Sequence, residues 1–426
     1  MDEHAGWIAR DAAVVWHGFT QMACYGDNAP VIVERAEGRE LIDVDGRRYL
    51  DAISSLWVTT LGHHIPELDQ AVRAQLERVA HSTMLGNGNR ATIELAEALA
   101  PVVPVDRPHF LFASDGAAAV EQALRIGLQH WTNQGKAGRT AYLAFGGAYH
   151  GDTIGSLSVG DGGFGTTVFD PLRFPVLRAP VDDPDAAVAM IDRHGEELAA
   201  VVLEPLVQGA AGMVLNEPDF VRAVAHACRA HEVVLICDEV ATGMGRTGTL
   251  FALEQCGVQA DVVCIGKGLT GGYLPMAATV VGERVYESFL GEDLSERTLY
   301  HGHSYSGNAL AAAVARRHLE LLSEWDVLAN VRARAAQLRE RLAAQVVPAA
   351  SVAEVRQRGL MVGVELAPPT DGLRWGRRVS AACVRRGVLI RSLGDVVVLM
   401  PILTSTADEI DRIVDVLAAS IDEVCR

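Results

Sequence analysis

The sequence contains no CxxC pair, no HExxH and no other spacing that would gather metal ligands. The histidine groups His63-His64 and His301-Gly302-His303 have no companion ligand pattern, so they read as loop histidines and no metal is expected. Cys24, Cys228, Cys237, Cys256, Cys264, Cys383 and Cys425 are odd in number, and several sit in apolar strand patterns. They read as buried free thiols of a reducing compartment. Met1-Asp2-Glu3-His4 is acidic and opens no signal-type apolar region, and no uninterrupted apolar run is long enough to span a bilayer. A cytoplasmic chain is the expectation. Basic charge is scarce: 37 Lys and Arg face 54 Asp and Glu, a net charge of −17. That balance argues against nucleic acid or an anionic membrane as partner. An anionic small ligand stays possible, because backbone N–H groups can hold a phosphate locally.

What is present is a large apolar core. The chain has 426 residues, 49% hydrophobic and 21% charged, which predicts a globular protein of more than one compact unit. Residues 30–52 read as short strands with a hairpin turn at Asp45-Gly46, followed by helical runs at 66–80 and 90–100. Short apolar strands then alternate with helical segments: 110–113, a helix from about 117, then 141–145, 199–205, 233–237 and 262–265. That alternation predicts an α/β fold with a mainly parallel sheet covered on both faces. A helical stretch at 308–345 leads out, with strands near 360–366 and 388–391 and a last helix near 406–424. The expected division is a large domain over 61–320 and a smaller α+β domain over 321–426, joined by an N-terminal segment over 1–60.

Lys267 carries the most chemistry. It follows the apolar run Val262-Val263-Cys264-Ile265 and precedes Gly268-Leu269-Thr270-Gly271-Gly272. A lysine at a buried strand end is costly unless it is used. Its obvious use is a Schiff base to a carbonyl cofactor, with an aspartate pairing a pyridinium nitrogen. Asp238 ends another apolar strand, at the sheet edge where such folds bind ligands, and can hold that nitrogen protonated. Pyridoxal phosphate is the cofactor that this pair predicts. A helix cap or a structural ion pair is the plainer reading of Asp238-Glu239.

Other motifs are weaker one by one. Ser114-Asp115-Gly116-Ala117 follows a strand and opens a helix, so the N–H groups of Gly116 and Ala117 could cradle a phosphate; a plain tight turn is the alternative. Tyr149, in Gly146-Gly147-Ala148-Tyr149-His150-Gly151, could stack on a planar ring, or could belong to an ordinary glycine-rich loop. Gly243-Met244-Gly245-Arg246-Thr247-Gly248 is a formal GxGxxG. It lies mid-chain, directly after two carboxylates and with no acidic strand end at the right distance beyond, so it is not a dinucleotide site. Gly266-Lys267 is not a P-loop either, since Gly268 stands where Ser or Thr is required.

Together the motifs resemble the class III (ω-) aminotransferases of pyridoxal phosphate fold type I, from about Trp16 to Thr406. Within that family the chain is similar to the branch that aminates 8-amino-7-oxononanoate in biotin biosynthesis. The residues that carry this are Trp16-His17-Gly18-Phe19-Thr20, Asp51-Ala52-Ile53-Ser54-Ser55-Leu56-Trp57, Ala148-Tyr149-His150-Gly151-Asp152-Thr153, Glu204-Pro205-Leu206-Val207-Gln208-Gly209 and Leu389-Ile390-Arg391-Ser392-Leu393-Gly394-Asp395. The resemblance implies a homodimer with its site at the subunit interface, acting on a small-molecule amine donor and a keto acceptor. Lys267 would bind the cofactor, Asp238 its ring nitrogen and Tyr149 its ring face. Gly116, Ala117 and the neighbouring subunit's His303-Ser304 segment would hold its phosphate. Phe19, Leu56, Trp57, Gly302 and Arg391 would line the substrate pocket, with Arg391 on the acceptor's carboxylate.

The chain departs from the usual family pattern in places. Phe19 stands for a tyrosine, Leu56 for a tryptophan, Ala117 for a serine and His303-Ser304 for Pro-Thr. The donor implied is S-adenosylmethionine or lysine; Ala80-His81-Ser82-Thr83-Met84-Leu85-Gly86 and Tyr300-His301-Gly302-His303-Ser304-Tyr305 are closer to the lysine-using branch. The competing expectations are another ω-aminotransferase, a same-fold aminomutase, racemase or decarboxylase, and a nicotinamide oxidoreductase or silent binding protein.

Overall fold

The computed structural model describes residues 3–28, 30–161, 165–181 and 183–425; the Met1-Asp2 part of the N-terminal reading lies outside them. The chain divides into two compact units, one of Glu67–Leu328 and one formed by the residues up to Pro66 with those from Ala329 onward.

The Glu67–Leu328 unit is built on a seven-stranded sheet. Across the sheet the strands run His109–Ala113, Ala277–Val281, Val262–Ile265, Val234–Asp238, Leu198–Leu203, Ala141–Phe145 and Leu177–Ala179. Every pairing is parallel except those of Ala277–Val281, which is antiparallel to both neighbours. The central strands are continuous apolar runs because both faces are covered: every residue of Leu198–Leu203, Val234–Asp238, Val262–Ile265 and Ala277–Val281 is buried. The helix Gly116–Asn133 packs on this sheet through Ala119, Val120, Ala123, Leu124 and Ile126. Asp115 caps its start by accepting from Ala118 N at 2.9 Å. The sequence reading passed over Leu177–Ala179 and Ala277–Val281.

The other unit has two four-stranded sheets. One orders Val33–Glu37, Glu40–Asp43, Arg48–Asp51 and Val388–Leu389, the last parallel to Arg48–Asp51. The Asp45-Gly46 turn joins its second and third strands, with Gly46 at φ +81°. The other sheet orders Val352–Arg358, Met361–Leu366, Val396–Leu399 and Arg391–Leu393, all antiparallel. Helices Trp375–Arg385 and Ala407–Val424 pack together, and a Thr406–Glu409 capping box starts the second. The helical stretch expected over 308–345 consists of two helices, Ala309–Glu324 and Val327–Gln345. The break falls at Asp326, whose φ of +45° cannot continue a right-handed helix.

Among the described residues, no helix is long and apolar enough to cross a membrane.

Candidate active site

The sheet brings an acid and a lysine out of the core side by side. Asp238 is the last residue of its strand and pairs with Cys264 on the parallel neighbour. That neighbour ends at Ile265; Gly266 follows, then Lys267 opens a one-turn helix, Lys267–Thr270. Lys267 has a φ of +43°, a left-handed conformation unusual for a residue with a side chain. Both groups therefore sit at the C-terminal edge of parallel strands, where α/β sheets bind ligands.

Asp238 is buried, with one contact on each oxygen. Its Oδ2 lies 2.8 Å from His150 Nδ1, and its Oδ1 accepts from Val240 N at 3.0 Å. A carboxylate only accepts, so Nδ1 carries the imidazole proton. The other ring nitrogen, Nε2, is buried without a hydrogen-bond partner. A third buried acid, Glu204, holds the loop that bears His150: it accepts from Tyr149 N at 3.0 Å and from Gly209 N at 3.1 Å. Burial pushes the Glu204 carboxyl up to about 7; the His150 ring opposes that rise and the Asp238 charge adds to it. Glu239 has a different task. It accepts from Thr242 Oγ1 at 2.6 Å, Leu253 N at 2.8 Å and Ala252 N at 3.0 Å, which fixes the loop after the strand. The plain structural reading thus fits Glu239, while Asp238 faces a histidine.

The turn at Gly116 is closed against the same strand end. A Cβ on Gly116 would come 2.7 Å from Val240 Cγ1, and one on Gly266 would come 3.4 Å from that same atom. Val240 thus touches both the expected phosphate turn and the residue before Lys267. Gly151, at φ +125°, lies so close to Ala117 that a Cβ there would overlap Ala117 Cβ. The Tyr149-His150-Gly151 loop therefore rests on the first turn of the Gly116–Asn133 helix. Lys267, Asp238, Tyr149, Gly116 and Ala117 are brought into one neighbourhood.

The electrostatics suit an amine that reacts. Burial lowers the proton affinity of Lys267, with the Arg246 guanidinium acting in the same direction; Asp238 and Glu204 partly offset this. Arg246, from the GxGxxG loop, is itself fully buried. Tyr149 is half-buried, and its hydroxyl donates to Asp152 Oδ2 at 2.9 Å. Burial, then that bond, raises its pKa, so the phenol stays protonated.

The segment around Gly302 forms a separate surface feature of this unit. A Cβ on Gly302 would come 2.5 Å from Leu85 Cδ2. His81 Nε2 donates to Ser304 O at 2.6 Å, and its ring lies 5.1 Å from that of Tyr305. Ser304 is exposed; His303 accepts from Tyr305 N through Nδ1, and its Nε2 is buried without a hydrogen-bond partner. Leu85, Tyr300 and Tyr305 are exposed.

Phe19, Leu56, Trp57 and Arg391 belong to the other unit. Phe19 is exposed with φ +54°. Leu56 is exposed and Trp57 buried, within a strained stretch in which Ser54, Ser55 and Trp57 all have positive φ. Buried Asp51 holds that stretch, accepting from Ser55 N at 2.8 Å and from Ile53 N at 3.3 Å, with His63 Nε2 at 2.9 Å. Arg391 opens the strand Arg391–Leu393, and its side chain is exposed.

Sequence reasoning assigned no role to His150, Glu204, Val240 or Gly151. His150 and Gly151 lie within a motif that it quoted, and Glu204 closes an apolar strand as Asp238 does, which was the available signal.

The residues fit a phosphorylated pyridine aldehyde. A buried carboxylate is present for a ring nitrogen, a buried amine for an aldehyde, and a helix start with no room for a Cβ for a phosphate. Gln208 Oε1, 3.3 Å from where a Gly147 Cβ would stand, is a further buried acceptor without a partner.

Comparison with known proteins agrees. The family model for class-III aminotransferases matches residues 22–421. The chain is 44% identical to the adenosylmethionine-8-amino-7-oxononanoate aminotransferase of Nitratidesulfovibrio vulgaris, over 96% of this chain and 80% of that protein. It is 39% identical to the like-named enzyme of Anoxybacillus flavithermus, over 98% and 96%. The crystal structure of the Methanocaldococcus jannaschii enzyme of that name superposes with a TM-score of 0.95 at 37% identity, covering 99% of each chain. An amine transaminase from an uncultivated Pseudomonas species, solved in its PLP-bound form, superposes with a TM-score of 0.90 at 30% identity, over 96% and 99%. The chain belongs to the class-III aminotransferases and is a pyridoxal phosphate-dependent transaminase.

Proposed function

We propose that this enzyme moves an amino group from S-adenosylmethionine or lysine to 8-amino-7-oxononanoate, giving 7,8-diaminononanoate for biotin biosynthesis. The observation that carries the chemistry is the buried Asp238–His150 pair at 2.8 Å, on the strand beside the one that presents Lys267. The names of the relatives at 44% and 39% identity support the acceptor. Those relatives are named for adenosylmethionine, whereas the 80–86 and 300–305 segments resemble lysine users.

When bound, pyridoxal phosphate supplies an aldehyde for the amino group and a ring that withdraws electrons. Lys267 would hold that aldehyde and, once displaced by the donor, act as the base that moves the proton between carbons. Its burial favours the neutral amine that both tasks need. Asp238, oriented by His150, would keep its charge on the ring nitrogen. Gly116 and Ala117 would give backbone N–H groups to the phosphate. Tyr149 would cover the ring, its hydroxyl anchored by Asp152. Arg391 would take the acceptor's carboxylate through its fork, with Phe19, Leu56, Trp57 and Gly302 shaping the pocket. We assign the cofactor to the Glu67–Leu328 unit. We further assign a homodimer, in which the exposed Leu85, Tyr300 and Tyr305 meet the second copy and the partner's His303-Ser304 segment joins the phosphate.

The test is a half-reaction on purified protein, followed by the cofactor's absorbance. S-adenosylmethionine, lysine and other amines are added separately, then 8-amino-7-oxononanoate. One donor is expected to bleach the band, and the ketone to restore it with diaminononanoate formed. If amines bleach the band and this ketone never restores it, the acceptor belongs to another pathway and Arg391 has another task. Lys267→Ala is expected to lower turnover by roughly 10³-fold; retained turnover would remove Lys267 from the mechanism.

A further inference from the structure

His318 lies on the helix Ala309–Glu324, which packs against the one-turn helix Lys267–Thr270. It is completely buried, and its Nδ1 is 3.2 Å from Leu269 O. A carbonyl only accepts, so Nδ1 carries the proton of a neutral ring. Burial lowers the pKa of this histidine to about 4, the Leu269 bond opposing that and the Arg246 guanidinium adding to it. Arg246 also acts on Lys267. The buried imidazole and the lysine thus share one cation, and the imidazole grips the carbonyl two residues beyond the lysine. Lys267 needs such a grip, because its φ of +43° is unfavourable on its own.

We propose that His318 is a positioning residue for Lys267: by donating to Leu269 O it holds the left-handed turn from which the amine is presented. The ionisable groups acting on the amine are Arg246, Asp238 and Glu204. The proposal rests on Lys267 being the reacting amine.

The composition permits a clean test, because Lys136 and Lys267 are the only lysines in the sequence. Full-length enzyme loaded with pyridoxamine 5'-phosphate leaves Lys267 free of the cofactor. Trace labelling with acetic anhydride across a pH series, read by peptide mass spectrometry, gives the titration of each lysine. Exposed Lys136 is the internal control. In His318→Leu the Lys267 midpoint is expected to rise by about one pH unit, with Lys136 unchanged. In His318→Asn, whose amide can stand where Nδ1 stands, the parent profile is expected to persist. In His318→Gln, which places its amide one bond further out, the shift is expected to return. If His318→Leu does not fold, the Asn and Gln variants alone decide. An unshifted Lys267 profile in His318→Gln, with only a lower melting temperature, makes His318 a plain core residue and overturns the proposal. So does a shift in His318→Asn equal to that in His318→Gln. Borohydride reduction of the parent pyridoxal form separates the two ideas: cofactor mass on any residue but Lys267 defeats the functional reading itself.

Discussion

His150 Nδ1 and Asp238 Oδ2 are 2.8 Å apart with both side chains buried, and the remaining nitrogen of that imidazole has no protein partner. The bond fixes the direction of the Asp238 carboxylate while leaving its negative charge in place. Removing the histidine and neutralising the acid should therefore have different signatures. His150→Leu is expected to lower kcat by about ten- to a hundred-fold while the cofactor still binds, since the charge persists but its orientation is lost. Asp238→Asn is expected to lower kcat by roughly 10²- to 10⁴-fold and to weaken cofactor retention. Steady-state kinetics with an absorbance titration of bound cofactor separates the two; equal losses in both variants would contradict this division of labour.

Glu204 makes stability fall as pH rises. Its carboxyl titrates near 7 in the folded protein, against an ordinary value of 4.5. A group whose folded pKa is raised stabilises fully below its unfolded value and loses that contribution as pH climbs through the folded one. The window is therefore about pH 4.5 to 7, and the amount is of order 3 kcal/mol. Glu204→Gln is expected to be less stable at pH 5, because each Glu204 oxygen accepts a backbone N–H and an amide can match only one. The gap between parent and variant should nevertheless narrow from pH 5 to pH 8. Denaturant melts at both values measure it, and a widening gap would reverse the sign assigned here.

Gly116 cannot carry a side chain without moving Val240. Gly116→Ala is expected to cost about 1–3 kcal/mol and to release cofactor, because the displaced Val240 also touches the residue position before Lys267. Adding Val240→Ala should restore cofactor retention in part. Retention in the single variant equal to that of the parent would show that the turn accepts a Cβ.

Ser55 is held at φ +61° and ψ −83° by Asp51. Ser55→Gly is expected to raise stability by up to about 1 kcal/mol, since glycine reaches positive φ without a Cβ penalty. Asp51→Asn is expected to lower it, by withdrawing a charged acceptor from Ser55 N and a partner from His63. Thermal melts of both variants test the pair.

The parts of the fold that a sequence could reveal are those with a local chemical mark. Val234–Asp238 and Val262–Ile265 are apolar on both faces, and each runs directly into the polar group that matters, so sheet, edge and residue could be read together. Ala277–Val281 has the same apolar character, yet its reversed direction depends on the route of the chain, which composition does not record. The helix break at Asp326 was hidden because the turn uses neither glycine nor proline. His150 was visible as a letter and invisible as a partner of Asp238, since 88 residues separate them. Strain at Ser54 and Ser55 leaves no trace in residue type, because serine is ordinary in every loop.

One end of the Gly116–Asn133 helix forms the turn against Val240, and Lys136 follows the other end. Eighteen helical residues span about 27 Å at 1.5 Å each. With Lys267 occupied by cofactor, an amine-directed dye or solid support has Lys136 as its one lysine target. Apart from the α-amino group, such a probe would sit at one defined address, roughly 27 Å along a rigid rod from the turn, giving a built-in ruler for following the enzyme without touching its chemistry.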